Sequence, residues 1–277
     1  MPKVSVVMSV YNTPADFLSA SIESILNQTF SDFEFLIIDD GSTDENVKKI
    51  ILSYDDKRIK YLYKNNSGLT ASLNYGLEHA TGEYIARMDA DDISLPTRFE
   101  KQVKYLDEHK DVAVLGTWFE MFGSSNIVIK HPEVITVFNI LNDEHVGHPT
   151  VMFRKKMFDD HKLRYDEDFK CAQDFELWSR VVRILKVRNL PEILLKYRMS
   201  EKNISTIRYV EQQNNAKEVK NRLLEFLTTD KKQQVQILNI INTQKPIYPK
   251  WLIILISCFI PSKKYRHNLK KKYIRKK

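Results

Sequence analysis

The chain has 277 residues, with 43 Lys and Arg against 36 Asp and Glu, and two cysteines. That length gives one large domain or one domain with a tail, while Cys171 and Cys258 make neither a disulfide framework nor a zinc set and point to a reducing compartment. The net charge of +7 sits at one end: residues 263–277 hold nine Lys or Arg and no acid, so the body is near −2 and a globally basic nucleic-acid binder is excluded.

Val4 to Val10 is a near-continuous apolar run, the pattern of a strand covered on both faces. It follows a single lysine, without the basic and apolar stretches of a secretion signal. Tyr11-Asn12-Thr13-Pro14 breaks the run. Thr13 as cap and Pro14 at the first position start a helix to about Asn27. Phe17, Leu18, Ile22, Ile25 and Leu26 give it one apolar face. Phe33 to Ile38 is a second buried strand, ending abruptly in Asp39-Asp40-Gly41-Ser42-Thr43-Asp44, and a helix covers Glu45 to Ser53. Ile59 to Tyr63 is a third strand. Asn65-Asn66-Ser67-Gly68 turns into a helix from Leu69 to His79, and a fourth strand begins at Gly82.

Four strand–helix alternations with short connections predict an α/β fold, an open parallel sheet covered by helices. Ligands of such sheets sit beyond the carboxyl ends of the strands. Those ends carry Tyr11-Asn12, Asp39-Asp40, Asn65-Asn66 and Asp89-Ala90-Asp91. The seven glycines form neither G-x-G-x-x-G nor G-x-x-x-x-G-K, so a bound diphosphate would need another source of positive charge. GEYIARMDADDISLP, from Gly82 to Pro96, offers one. Its apolar strand ends in Asp89, Asp91 and Asp92, three like charges that are costly to bury unpaired. A hard divalent cation held by carboxylates and phosphate oxygens relieves that cost. The alternative is a solvated acidic turn capping the helix that starts near Pro96.

The second half is less regular. A helix from Pro96 to about His109 leads to a strand over Val112 to Phe122, paired by Ile127 to Ile129. Glu133 to Leu141 reads as a helix, and Gly147-His148-Pro149-Thr150 as a turn into the strand Val151-Met152-Phe153. Gln173-Asp174 opens a helix with Phe175, Leu177, Trp178, Val181, Val182 and Leu185 as its apolar set. Two short strands broken at Pro191 fill Val187 to Tyr197, and residues 208–241 are polar and helical.

Six stretches in order, VSVVMSVYN, LNQTF, LIIDDGSTD, NSGLTASLNYGL, GEYIARMDADD and QDFELW, cover roughly the first 200 residues. With them the chain resembles the family 2 glycosyltransferases, and the run from Asn66 to Asp92, with the Tyr197-Arg198 region, looks closest to bacterial surface-glycan transferases. The resemblance implies a GT-A fold: a Rossmann-like, mostly parallel sheet with a C-terminal helical region. It divides the chain into a catalytic domain over 1–205, with a nucleotide-binding half at 1–95 and an acceptor half at 96–205. A helical extension follows over 206–248, and an apolar segment with a basic tail over 249–277. It implies inverting transfer of a hexose or N-acetylhexosamine from a UDP-sugar to a glycan hydroxyl, with Mn²⁺ or Mg²⁺ as cofactor.

By the same similarity Ser9 and Tyr11 line the nucleobase pocket and Asp40 contacts the uracil, with Asp39 as the adjacent candidate. Asp89 and Asp91 match the DxD motif, Asp89 toward the ribose and Asp91 toward the metal, and Asp92 offers a DD pair for the same role. Asp174 matches the catalytic base, although Gln173 stands where family members often have Glu. A helix N-cap is the other reading of Asp174. His148 and Trp178 are candidate acceptor contacts, each with a plain structural alternative.

Trp251 to Ile260 spans about 15 Å as a helix, half a bilayer core of about 30 Å. Followed by the cationic end, it suits peripheral attachment to the cytoplasmic face of the inner membrane, near a lipid-linked acceptor. The rival readings are a nucleotidyltransferase, which would want a glycine-rich basic loop at the N-terminus, and a nucleotide-binding domain without catalysis.

Overall fold

The computed structural model describes residues 1–199 and 208–243. In chain order the first half is β1 (Val4–Val10), α1 (Ala15–Leu26), β2 (Phe33–Asp39), α2 (Glu45–Ser53), β3 (Ile59–Tyr63), α3 (Leu69–His79) and β4 (Tyr84–Asp89). Then come β5 (Ile93–Ser94), α4 (Arg98–Glu108), β6 (Val112–Gly123), β7 (Val128–Ile129), β8 (Val134–Ile135) and α5 (Val137–Leu141). After a 3₁₀ turn at His148–Thr150 the chain continues through β9 (Met152–Arg154), α6 (Lys155–Asp160), α7 (Gln173–Ile184), β10 (Lys186–Met199), α8 (Tyr209–Leu227) and α9 (Lys231–Thr243).

The main path of the sheet runs β3-β2-β1-β4-β9-β6-β10-β5, with β7 on β6 and β8 on β10. β1 to β4 pair in parallel as the apolar runs predict. The three-residue β9 enters antiparallel between β4 and β6 and joins the two halves.

Alternate residues of β1 feed two cores. Val4, Val6, Met8 and Val10 pack with Leu18, Ile22 and Ile25 of α1, Val47 and Ile51 of α2, and Phe99 and Leu106 of α4. Val7 faces the other way, with Leu73 and Leu77 of α3, Ile140 of α5, Trp178 of α7 and Leu223 of α8. This period-2 division makes a three-layer sandwich. A Cβ on Gly76 of α3 would lie 2.5 Å from a Val7 methyl, so the helix sits against β1 at a distance only glycine allows.

The β4–β9–β6 seam leaves carbonyls that buried polar side chains satisfy. Arg98, fully buried, donates Nη2 to the carbonyls of Arg87 (2.8 Å) and Val151 (3.3 Å). Its Nε bonds Gln102 Oε1, and Gln102 Nε2 donates to Leu115 O (2.9 Å) and Thr150 O (2.8 Å). Buried carbonyls left unpaired would each cost about 1–3 kcal/mol.

Several local expectations change. Helix α5 begins only at Val137, because Val134–Ile135 pairs with β10. The two strands expected around Pro191 are one strand, β10, whose pairing with β6 shifts register between Leu190 and Ile193 and accommodates the proline as a bulge. Pro14, not Thr13, holds the N-cap of α1, with no side-chain cap bond. Among the described residues no helix is long and apolar enough to cross a membrane. The apolar segment and basic tail at 249–277 lie outside the described residues.

Candidate active site

The carboxyl ends of β1, β2 and β4 converge as the sheet direction requires. Ser9 pairs in register with Ile38 on one side and Asp89 on the other. Tyr11 follows with 51% of its surface exposed. Asn12 takes a left-handed backbone, φ 49°, and its Oδ1 accepts from the amides of Thr43 (2.8 Å) and Asp44 (3.1 Å). This side chain fastens the loop after β1 to the loop after β2.

Asp39 and Asp40 are both 2% exposed and both engaged. Asp39 accepts from the Ser42 amide (2.8 Å) and the Tyr61 hydroxyl (2.8 Å). Asp40 accepts from Lys64 Nζ (2.6 Å) and the amides of Ser67 (3.0 Å) and Gly68 (2.8 Å). Burial works against the Asp40 charge, but Lys64 and these donors outweigh it and hold the carboxyl below its usual range. A base reaches Asp40 only by joining or displacing Lys64. The ion pair spans 24 residues and no sequence pattern announced it.

At the end of β4 the balance is reversed. Carboxylate oxygens of Asp89, Asp91 and Asp92 lie within 4.8 Å of one another. Asp89 is ion-paired to the buried Arg87, and its carbonyl accepts from Ser21 Oγ (2.9 Å). Burial and the charge of Asp89 push Asp91 up to about 6, while Arg87 and Arg198 offset only part of this. Asp92, 1% exposed, is raised further by burial and by both neighbours. Its Oδ1 accepts from the Arg198 amide (2.8 Å), and its buried Oδ2 has no partner. Three crowded carboxylates, one with an orphaned buried oxygen, are the donor set that a hard divalent cation takes.

Beneath this turn lies a buried group of side chains. His148 Nε2 and the Tyr165 hydroxyl are 2.9 Å apart. Burial, with Arg87 and His145 nearby, keeps the His148 imidazole neutral. Burial raises Tyr165 above its usual range and Arg87 opposes this, while the charges of Asp174 and Asp89 add to it. One hydroxyl thus feels both the acidic turn and Asp174.

Asp174 stands in the first turn of α7, where unpaired amides and the helix dipole favour negative charge. It is not the N-cap. That position belongs to Ala172, in a left-handed conformation at φ 56°. Among the described residues none hydrogen-bonds the Asp174 carboxylate. The loop before it is tied to α3, where Asn74 exchanges two 3.0 Å bonds with the Tyr165 backbone and the Thr70 hydroxyl donates to Phe169 O at 2.9 Å.

The two acceptor candidates are placed in the interior. Trp178 is fully buried, so the expected acceptor contact is corrected: it has no surface to offer a sugar. His148, 8% exposed, is committed to Tyr165. Among residues not foreseen, Arg87 was legible, because it precedes Asp89 by two in a strand and so shares its face. Tyr165 carried no comparable signal, and Arg198 entered only as part of the Tyr197-Arg198 region in the family resemblance, with no role attached.

The sequence model of "Glycosyl transferase family 2" matches residues 5–171. An uncharacterized glycosyltransferase of Methanocaldococcus jannaschii is 39% identical over 212 residues, 73% of this chain and 72% of that protein. The chain belongs to glycosyl transferase family 2. A further relative, the O-antigen biosynthesis glycosyltransferase WbnJ of Escherichia coli, is 35% identical over 210 residues, 72% of this chain and 81% of that one. Solved structures confirm the GT-A architecture of this family 2 chain. Staphylococcus aureus TarS 1-349 in complex with UDP-GlcNAc superposes with TM-score 0.71 at 19% identity, covering 98% of this chain and 88% of TarS. The mannosyltransferase PcManGT of Pyrobaculum calidifontis, in complex with GDP-Man and Mn²⁺, gives 0.60 at 16% identity, covering 98% and 75%.

Proposed function

We propose that this glycosyltransferase moves a hexose or N-acetylhexosamine from a UDP-sugar to a hydroxyl of a glycan acceptor, with inversion, in surface polysaccharide assembly. The observation that carries the reading is the presence of two kinds of carboxylate, a crowded set at the end of β4 and a single one in the first turn of α7. Asp89, Asp91 and Asp92 crowd together with an orphaned oxygen, while Asp174 stands without a hydrogen-bond partner among the described residues. Both Asp89 and Asp174 act on Tyr165. The relatives support the class: WbnJ is an O-antigen biosynthesis enzyme, and the TarS and PcManGT structures hold UDP-GlcNAc and GDP-Man.

In this reading the acceptor hydroxyl attacks the anomeric carbon as the bond to the diphosphate breaks. Asp174 accepts the hydroxyl proton and UDP leaves with the bonding pair. Ser9 and Tyr11 border the base, and Asp40 presents the polar edge that discriminates it, with Lys64 as the neighbour it must accommodate. Asp89 faces the ribose. Asp91, with Asp92, would hold Mn²⁺ or Mg²⁺, which when bound neutralises the diphosphate as a Lewis acid. Arg87 fixes the Asp89 carboxylate from below. The basic tail supports a peripheral position at a membrane carrying a lipid-linked acceptor.

The test is UDP release from a panel of UDP-sugars with Mn²⁺, with and without EDTA, alongside Asp91→Ala and Asp174→Ala. Metal-dependent release from one sugar, lost in both variants, supports the reading. UDP binding without turnover, even with membrane lipid extract as acceptor source, turns it toward a nucleotide-binding domain.

A further inference from the structure

The acidic turn is gripped from a point more than a hundred residues away. Arg198, near the end of β10, donates its backbone amide to Asp92 Oδ1 and its Nε to the Asp91 carbonyl, each at 2.8 Å. Its guanidinium contacts two rings, with centroid distances of 3.9 Å to Phe17 of α1 and 4.5 Å to Phe122 of β6. A guanidinium packed against two rings and hydrogen-bonded through its Nε has restricted rotational freedom before any ligand arrives. The two strands below continue the grip, because Leu195 pairs with Ser94 and Lys196 with Ile93. From the other side Ser21 Oγ holds the Asp89 carbonyl and Ser24 Oγ accepts the Ser94 amide at 3.0 Å.

These contacts fix the backbone on which Asp91 and Asp92 sit, while leaving Asp92 Oδ2 unpartnered. We propose that Arg198 is a positioning residue for the divalent cation. By locking the Asp91 carbonyl and the Asp92 carboxylate, it keeps three mutually repelling carboxylates in the arrangement that a cation and a diphosphate require. The proposal rests on the reading of the acidic turn as a metal site. A second consequence is that Phe17 and Phe122 act in donor binding without touching the donor, because they hold the guanidinium.

The experiment titrates UDP into the full chain by calorimetry, with Mn²⁺ and with EDTA. The ratio of the two Kd values is the metal-dependent increment. Arg198→Ala is expected to reduce this increment tenfold or more while UDP affinity in EDTA changes less than twofold. Arg198→Lys keeps the charge but loses the planar fork, and retains an intermediate increment. Phe17→Leu reduces it about threefold, and it decides the matter, with Arg198→Lys, if Arg198→Ala does not fold. A full increment in the variants that fold, with or without a lower Tm, overturns the positioning role and leaves the metal reading intact. If the wild-type chain shows no increment, both fall together.

Discussion

One sheet carries two sets of buried carboxylates treated in opposite ways. At the amino ends of the strands, Glu34 is 4% exposed and fully partnered. Its Oε1 accepts from the Ser5 hydroxyl and from the amide (2.7 Å) and hydroxyl (2.8 Å) of Thr81, and its Oε2 meets Lys60. Burial opposes that charge, but the donors win and bring Glu34 down to about 2. At the carboxyl ends, the half-buried Asp91 and the buried Asp92 have few donors and meet the charge of Asp89, and both are raised. The contrast at the acidic turn is one that a bound cation would relieve. Asp40, filled by Lys64 and two amides, stands between the two cases.

The comparison breaks most directly at Asp174. Asp174→Asn should lower kcat by about 10²–10⁴-fold, the usual range for a lost general base, with UDP affinity and Tm nearly unchanged. A comparable loss of UDP affinity would show that the carboxylate serves binding instead. Asp91→Asn should reduce metal-dependent turnover by about a hundredfold or more while the metal-free protein melts at the same temperature or higher, because a repelling charge has gone. Differential scanning calorimetry in EDTA checks the second half. Glu34→Ala should do the reverse: about 2 kcal/mol less stability in urea melts, with KM for the donor within twofold of wild type.

The smallest effect is in the pH profile. Glu34 has a depressed folded-state pKa, so its contribution is present above the unfolded value near 4.5 and is lost as pH falls toward about 2. Asp91 has the opposite sign: its raised pKa makes the folded state bind an extra proton, and stability from that group declines as pH rises from about 4 to about 6. Urea melts of Glu34→Gln should show a shallower acid limb than wild type, and melts of Asp91→Asn in EDTA should lose the decline between pH 4 and 6.

The first half of the chain was readable because each of its elements is local. The runs Val4–Val10 and Phe33–Asp39 are strands by apolarity alone, and α2, β3 and α3 begin and end where the turn residues predict. The acidic turn showed itself because three carboxylates after an apolar strand have few physical uses. What was not legible depends on distant partners. The strand at β9 was legible one residue early, as Val151 to Phe153, but its antiparallel place between β4 and β6 was not. Glu133–Ile135 was drawn out of a helical pattern by pairing with β10. Trp178, by contrast, was legible as core from the apolar set of its helix, and it is fully buried. Arg198 could be read only as part of the Tyr197-Arg198 resemblance; its role comes from Asp91 and Asp92, which it meets in space and not in sequence.

The position of β9 bears on how the chain is made. β1 to β4 are complete once Asp89 has emerged, yet the far edge of β4 is covered only when Met152–Arg154 arrives, 63 positions later. At ribosomal rates of about 5–20 residues per second, that edge stays unpaired for roughly 3 to 13 seconds. An open strand with the sequence Tyr-Ile-Ala-Arg-Met-Asp is a template for another nascent chain. Arg87 and Asp89, charged and on one face of it, are side chains of the kind that disfavours such pairing.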